Sequence, residues 1–181
     1  RILGIDPGSR VTGYGVIETD RRQLSSLTYG QIAPGKNAAL SECLQTLYNC
    51  ITDISEQTRP DAIAIEDIFF GKNVRSLIKQ GHVRGVAILA GSRQGIPIFE
   101  YSPLEIKKAV VGYGLAEKDQ VQMMVKAILH LSDSPRADAA DALAVAICHA
   151  HSRKVTPDNM IARISGTLVQ KSASQIVVDV G

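Results

Sequence analysis

The sequence predicts an α/β layered domain, a mixed five-stranded sheet with helices on both faces. Three observations carry that expectation. Residues up to Ile32 read as three strands with short connections, an antiparallel meander. Beyond them, short apolar runs alternate with stretches of helical period, the pattern of a layered α/β domain. Two of the apolar runs, beginning at Ile2 and at Asp61, end abruptly on a carboxylate, Asp6 and Glu66, which puts both acids at the rim of a buried sheet.

The first strand holds Ile2, Leu3 and Ile5 and stops at Asp6. Pro7 presets the turn that follows, and Gly8 is expected to supply a positive φ there. Thr12 to Glu18 reads as the second strand. Gly13 and Gly15 weaken it, so they mark a bulge or a close approach by another backbone. After the turn at 19–22 the third strand runs from about Leu24 to Ile32, and residues 33–37 (APGKN) break the pattern. Between Ala38 and Gln57, the positions Leu40, Cys43, Leu44, Leu47, Ile51 and Ile54 recur at three- and four-residue spacing, an amphipathic helix ended by Arg59-Pro60.

Asp61 to Glu66 is a short apolar run consistent with a buried parallel strand, and the loop at 67–72 sets Phe69 and Phe70 beside its acid. A long helical pattern fills 73–95. Its Gly81, Gly85 and Gly91 each lower helix propensity by ~1 kcal/mol, so close packing against a neighbour is the expected reason for them. Ile96 to Tyr101 is the fifth strand. Ser102-Pro103-Leu104-Glu105 is a capping box with proline at the first helical position, opening a helix to about Val111. Gly112 to Gly114 links it to a helix at Glu117 to Leu131, and an alanine-rich helix follows from Arg136 to Ala150. Residues 1–155 therefore read as one domain. The remaining 156–181 form a C-terminal extension whose Gln175–Val180 stretch has β character, suited to an extra edge strand, a dimer arm or a poorly ordered extension.

A chain of 181 residues can bury a real core, and 45% apolar with 21% charged residues is ordinary for a soluble globular protein. No apolar run approaches the ~20 residues of a membrane span, and no signal peptide is visible. Cys43, Cys50 and Cys148 lack metal-like spacing and are expected to be reduced, buried thiols of a cytosolic protein. The net charge is only +2, but residues 68–126 carry nine basic side chains against four acidic ones. Such an excess suits a polyanion-binding face with salt-dependent affinity.

The alanine-rich helix carries the decisive spacing. Asp138 and Asp141 are three residues apart and share a helical face near the N-terminus, where the dipole favours anions. Each acid alone reads as a turn cap or a first-turn residue. Together Asp6, Glu66, Asp138 and Asp141 would repel, and some would stay protonated unless a cation were present. Hard oxygen donors suit Mg²⁺, and two such ions about 3.5–4 Å apart can activate a water and stabilise the leaving oxygen in phosphodiester hydrolysis. His149 lies about 12 Å along the helix from Asp141 by rise per residue, too far for the same ions. It is expected, with His151, as a cation at the helix C-terminus.

Gly4-Ile5-Asp6-Pro7-Gly8-Ser9 with Thr12-Gly13-Tyr14-Gly15, then Ala64-Ile65-Glu66, then Ala137-Asp138-Ala139-Ala140-Asp141-Ala142-Leu143-Ala144, resembles the RuvC family of bacterial Holliday-junction resolvases. Lys72-Asn73, Gln80-Gly81, Arg84-Gly85-Val86-Ala87, Val110 to Gly114 and Glu117-Lys118 extend the resemblance, which runs from about Ile2 to His151 and weakens beyond it. It implies an RNase H-like fold, a cytoplasmic bacterial homodimer, and paired nicking of four-way junction DNA in recombination and repair. By the same resemblance Asp6, Glu66, Asp138 and Asp141 are the catalytic metal ligands, for two Mg²⁺ per subunit with Mn²⁺ able to substitute. Phe69 would stack on an unpaired base, with Phe70 its rival, and Lys72, Arg75, Lys107 and Lys118 would line the DNA face. A RuvA-RuvB branch-migration complex is the implied partner.

Other classes fit less well. A proofreading exonuclease usually needs two acids one residue apart in the first strand, where this chain has Asp6-Pro7-Gly8. An actin-like ATPase needs two lobes and more chain. A junction-binding module without catalysis has no use for all four acids.

Overall fold

The structure, a computed structural model, describes residues 1–8, 10–20, 23–35, 37–68, 74–152, 167–171 and 176–179. Its main sheet has the order β3 (Gln23–Ile32), β2 (Thr12–Asp20), β1 (Ile2–Asp6), β4 (Ala62–Glu66), β5 (Ile98–Tyr101). Strands β1 (Ile2–Asp6), β2 (Thr12–Asp20) and β3 (Gln23–Ile32) form the antiparallel meander. Strand β4 (Ala62–Glu66) pairs parallel to β1, and β5 (Ile98–Tyr101) pairs parallel to β4. Helix α1 (Leu40–Thr58) leads into β4 and α2 (Val74–Arg93) into β5; α3 (Pro103–Val111), α4 (Lys118–Ile128) and α5 (Ala137–Ser152) follow.

Strand alternation sorts the core into two layers. Leu3, Ile5, Val16, Ile63 and Ile65 pack against α1 and α2 through Leu47, Ile51, Val83, Ala87 and Ala90. On the other face Ile2, Ile17 and Ala64 pack against α3, α4 and α5 through Ile106, Val110, Val121, Val125, Leu143 and Ile147. Period two then decides where the strand-end acids point: Asp6 follows Ile2 and Gly4, and Glu66 follows Ala64, onto the α5 face.

Beneath α5, strands β1 and β2 present glycine at three positions, Gly4, Gly13 and Gly15. A Cβ on Gly4 would fall on the Ala142 carbonyl oxygen, one on Gly13 on the Asp138 carbonyl oxygen, and one on Gly15 against the Leu143 side chain. Alanines 139, 140, 142, 144 and 146 complete the close seat from the helix side, all buried. The expectation of another backbone over Gly13 is met by the first turn of α5. Across the sheet, Gln31 pairs with Gly13 and Gly13 with Asp6, while Ile5 pairs with Ile65 just before Glu66. Gln31, Gly13, Asp6 and Glu66 thus form one row beneath the start of α5.

Local signals end the elements where the chemistry requires. Arg59 adopts a left-handed conformation (φ 47°) before Pro60 and closes α1. The Ser102 hydroxyl accepts from the Glu105 backbone N–H, and the Glu105 carboxylate accepts from the Ser102 N–H, so the capping box is formed.

Three expectations are corrected. Gly8 does not take a positive φ; it is required because a Cβ would fall on the Val11 carbonyl oxygen of the same turn. Among the described residues, only Gly91 of the α2 glycines is explained by packing, a Cβ there standing 2.5 Å from Ile63 Cδ1, whereas one on Gly85 would meet no described atom within 4 Å. Among the described residues the β-rich tail adds no strand to the main sheet: β6 (Thr167–Lys171) and β7 (Ile176–Asp179) pair antiparallel with each other. No helix among the described residues is long and apolar enough to cross a membrane.

Because backbone meets backbone at Gly4 and Gly13, neither site can accept a methyl by side-chain adjustment. Gly4→Ala and Gly13→Ala are each expected to destabilise the fold by about 1–3 kcal/mol, read as a lower urea midpoint. An unchanged midpoint would mean that α5 does not rest on the sheet.

Candidate active site

Asp6 and Glu66 stand side by side because their strands are neighbours in parallel register and both end at the same edge. They share a hydrogen bond, which requires one of the two to be protonated. Burial pushes Asp6 up from an ordinary 3.8 to about 6, aided by the charge of Asp141. Burial also pushes Glu66 up, from 4.5 to about 8, aided by the charge of Asp6 and by donating its proton to the Asp6 carboxylate. These are carboxylates crowded without enough positive charge, titrating as a pair.

Two half-buried acids come in from α5. Asp138 lies in its first turn and Asp141 one turn later, above the row that contains Asp6. The Lys118 ammonium, from the first turn of α4, reaches Asp141 Oδ2 at 2.6 Å. Its pKa is raised by that bond and by the charges of Asp141, Asp6 and Asp138. Asp138 is engaged from the opposite side, where the Gln31 side-chain amide donates to its Oδ2 at 2.5 Å. Glu66, Asp141, Lys107 and Lys118 line a cleft of about 220 Å³ walled by Pro103, Ile106, Val121 and Ala144. A larger hollow of about 720 Å³ lies on the α1 side of the turn after β1, among Gly8, Thr12, Pro34 and Leu47, with no acid among the described residues that line it.

The four sequence-identified acids therefore share one field, and the donor set is all oxygen, as a hard divalent cation prefers. The paired protonation of Asp6 and Glu66 is the deficit such a cation would fill. As placed, no three His, Cys, Asp or Glu side chains among the described residues form a ready cage for one ion. The reason is visible in their partners: Asp6 and Glu66 bond each other, Lys118 holds Asp141, and Gln31 holds Asp138.

Of the basic residues expected beside the acids, Lys107 and Lys118 line the cleft, while Arg75 is exposed in the first turn of α2. Phe69, Phe70 and Lys72 lie outside the described residues. His149 is corrected from a helix-end cation to a core residue: it is 2% exposed, its Nδ1 lies 2.7 Å from the Tyr101 hydroxyl, and its ring packs 4.4 Å from that of Phe99. His151 is exposed and its Nδ1 donates to the Ala109 carbonyl at 3.0 Å. Sequence reasoning missed Gln31 and Arg136. The register of the meander was the available signal for Gln31, since it sets that residue opposite Gly13.

The profile of the family described as "Crossover junction endodeoxyribonuclease RuvC" matches residues 2–149. The chain belongs to the RuvC family. Its RuvC relatives include the crossover junction endodeoxyribonuclease of Ruminiclostridium cellulolyticum, 51% identical over 155 residues, covering 85% of this chain and 93% of the relative. That of Photorhabdus laumondii is 55% identical over 150 residues, covering 83% and 86%. Among solved structures, Thermus thermophilus RuvC in complex with Holliday junction substrate is similar with a TM-score of 0.79 and 31% identity, over 83% of this chain and 92% of that one. The RuvC fold here is the RNase H-like mixed sheet that the sequence implied.

The raised carboxyl values fix a pH dependence for this RuvC-family chain without divalent metal. Between 3.8 and about 6 for Asp6, and between 4.5 and about 8 for Glu66, the folded state keeps protons that the unfolded chain has released. The pair's contribution to stability is therefore greatest below the unfolded values and falls as pH rises through that window. Urea midpoints in EDTA should show this fall, and Glu66→Gln should flatten its upper part. A midpoint independent of pH between 5 and 8, in wild type and variant alike, would show that the two acids do not crowd each other.

Proposed function

We propose that the chain resolves four-way DNA junctions by paired symmetric nicks, acting as a homodimer in recombination and repair. The observation that carries the reading is the convergence of Asp6, Glu66, Asp138 and Asp141 beside Lys107 and Lys118, in a chain of a family whose T. thermophilus member is known bound to Holliday junction substrate. Residues 1–155 would carry the nuclease, leaving 156–181 as an extension.

Asp6, Glu66, Asp138 and Asp141 would hold two Mg²⁺ ions, or Mn²⁺ in their place, which when bound supply water activation and charge neutralisation at the phosphate. The protein's own contribution is positional. The sheet edge fixes Asp6 and Glu66, and the first turn of α5, held by the floor of glycines, fixes Asp138 and Asp141. Hydrolysis forms a bond from water oxygen to phosphorus and breaks the bond to the 3′ oxygen, leaving 5′-phosphate and 3′-hydroxyl ends. Lys107, Lys118, Lys72 and Arg75 would track the strands as phosphate contacts, and Phe69 would stack on a base freed at the crossover.

Two nicks need two sites, which an isologous dimer supplies. Support for a second copy on α2 comes from its outer face. Val74, Ile78, Gly81, Gly85 and Leu89 form one stripe opposite the buried Val83, Ala87 and Ala90, and its three large side chains are each more than half exposed. Gly85, open within the protomer, would let a partner helix approach closely. By resemblance the dimer works with a RuvA-RuvB complex in the bacterial cytoplasm.

Labelled four-way junctions, linear duplex and RNA–DNA hybrid test the substrate. The expected result is symmetric nicking confined to the junction, supported by Mg²⁺ and abolished by EDTA; cutting of the hybrid alone would contradict it. Asp141→Asn should abolish cleavage and retain junction binding in a gel-shift assay, and equal loss of both would make Asp141 a structural residue. Gly85→Glu should leave the circular dichroism spectrum intact but give a monomer by light scattering, with paired nicking lost. A dimer of wild-type mass would exclude the α2 stripe as the interface.

A further inference from the structure

The sheet row that carries Asp6 and Glu66 ends, two strands away, in Gln31. Gln31 pairs with Gly13 and so faces the same side. With no side chain on Gly13, the first turn of α5 comes down onto β2, and Asp138 arrives within reach of the Gln31 amide. Gln31 Nε2 donates to Asp138 Oδ2 at 2.5 Å. At the other end of the same amide, Arg136 Nη1 donates to Gln31 Oε1 at 3.3 Å. A guanidinium has no acceptor, so it fixes which end of the amide is oxygen and turns the NH₂ toward Asp138.

We propose that Gln31 is the positioning residue for the Asp138 carboxylate, with Arg136 orienting its amide, so that one Asp138 oxygen is held by protein and the other is presented to a metal ion. The inference rests on the reading of Asp138 as a metal ligand. Its physical basis is that a carboxylate on a first-turn helical residue has free side-chain torsions. A single donor at a fixed height in the sheet selects one of them before an ion arrives, which lowers the cost of ordering at binding. Gln31 touches neither substrate nor reacting atoms and acts only through Asp138. The arrangement also explains a polar side chain at this end of β3, where the row beside it holds only Gly13 and the acids themselves.

The test is calorimetric titration of the DNA-free protein with Mn²⁺, for wild type, Gln31→Met, Arg136→Met, the double variant and Asp138→Asn. Methionine keeps the length of the glutamine side chain and the aliphatic stem of the arginine, and removes their hydrogen bonds. Gln31→Met is expected to weaken Mn²⁺ binding about tenfold, the lower end of what loss of a partner to a metal ligand typically does. Arg136→Met should act in the same direction by less, and should add nothing in the Gln31→Met background, because both work through one amide. Unchanged Mn²⁺ affinity in Gln31→Met, or additive effects of the two changes, would overturn the inference while leaving the metal site in place. Should Gln31→Met fail to fold, the exposed Arg136→Met carries the test, and unchanged affinity there would overturn the role of the pair. If Asp138→Asn binds Mn²⁺ as wild type does, the ligand assignment itself fails and takes this inference with it.

Discussion

A helix backbone rests directly on a sheet backbone, and the site depends on that contact. Side chains normally stand between a helix and the sheet it packs on. Here Gly4, Gly13 and Gly15 below and a run of alanines above remove that spacer. The consequence is chemical. Asp138 and Asp141 are carried down to the level of Asp6 and Glu66, where short carboxylates on opposite layers feel one another. An ordinary apolar layer on β1 and β2 would give the same topology with the two acid pairs too far apart to cooperate.

Crowding acids at a buried edge opposes folding, and the structure shows how the chain accommodates it. Asp6 and Glu66 share a proton, Asp141 takes the Lys118 ammonium, and Asp138 takes the Gln31 amide. The three arrangements differ in kind, a shared proton, an ammonium and an amide, and the partners come from four elements: β1, β4, α4 and β3. The acids are bound to the fold on every side, while the cleft beside Glu66 and Asp141 stays open and lined by lysines. A negative site with a basic rim suits a phosphate backbone that must be drawn toward carboxylates, the lysines supplying the attraction.

Much of this was legible in the sequence because it depends on local rules. Apolar runs ending on Asp6 and Glu66, the three-residue spacing of Asp138 and Asp141, and the Ser102–Glu105 box all translate directly into structure. What escaped depends on partners distant in sequence. Gln31 and Asp138 lie 107 residues apart, and only strand register joins them. His149 reads as a helix-end cation until β5 is placed beside it, when Phe99 and Tyr101 enclose its ring. Gly8 invites a positive φ by type, yet what it provides is room for the Val11 carbonyl. Gly85 is the converse case, a glycine that no contact among the described residues explains. The roles of Phe69 and Lys72 still rest on the sequence resemblance.

The central claim is that the acids crowd one another and that a divalent cation resolves the crowding. It is tested most directly by counting the protons released when the metal-free protein binds Mg²⁺ at pH 7, from calorimetry in buffers of different ionisation enthalpy. Release is expected, because a Glu66 that titrates near 8 is mostly protonated at that pH and must ionise to hold a cation. Binding of Mg²⁺ with no proton release would contradict the claim, since Asp6 and Glu66 would then already be fully ionised side by side.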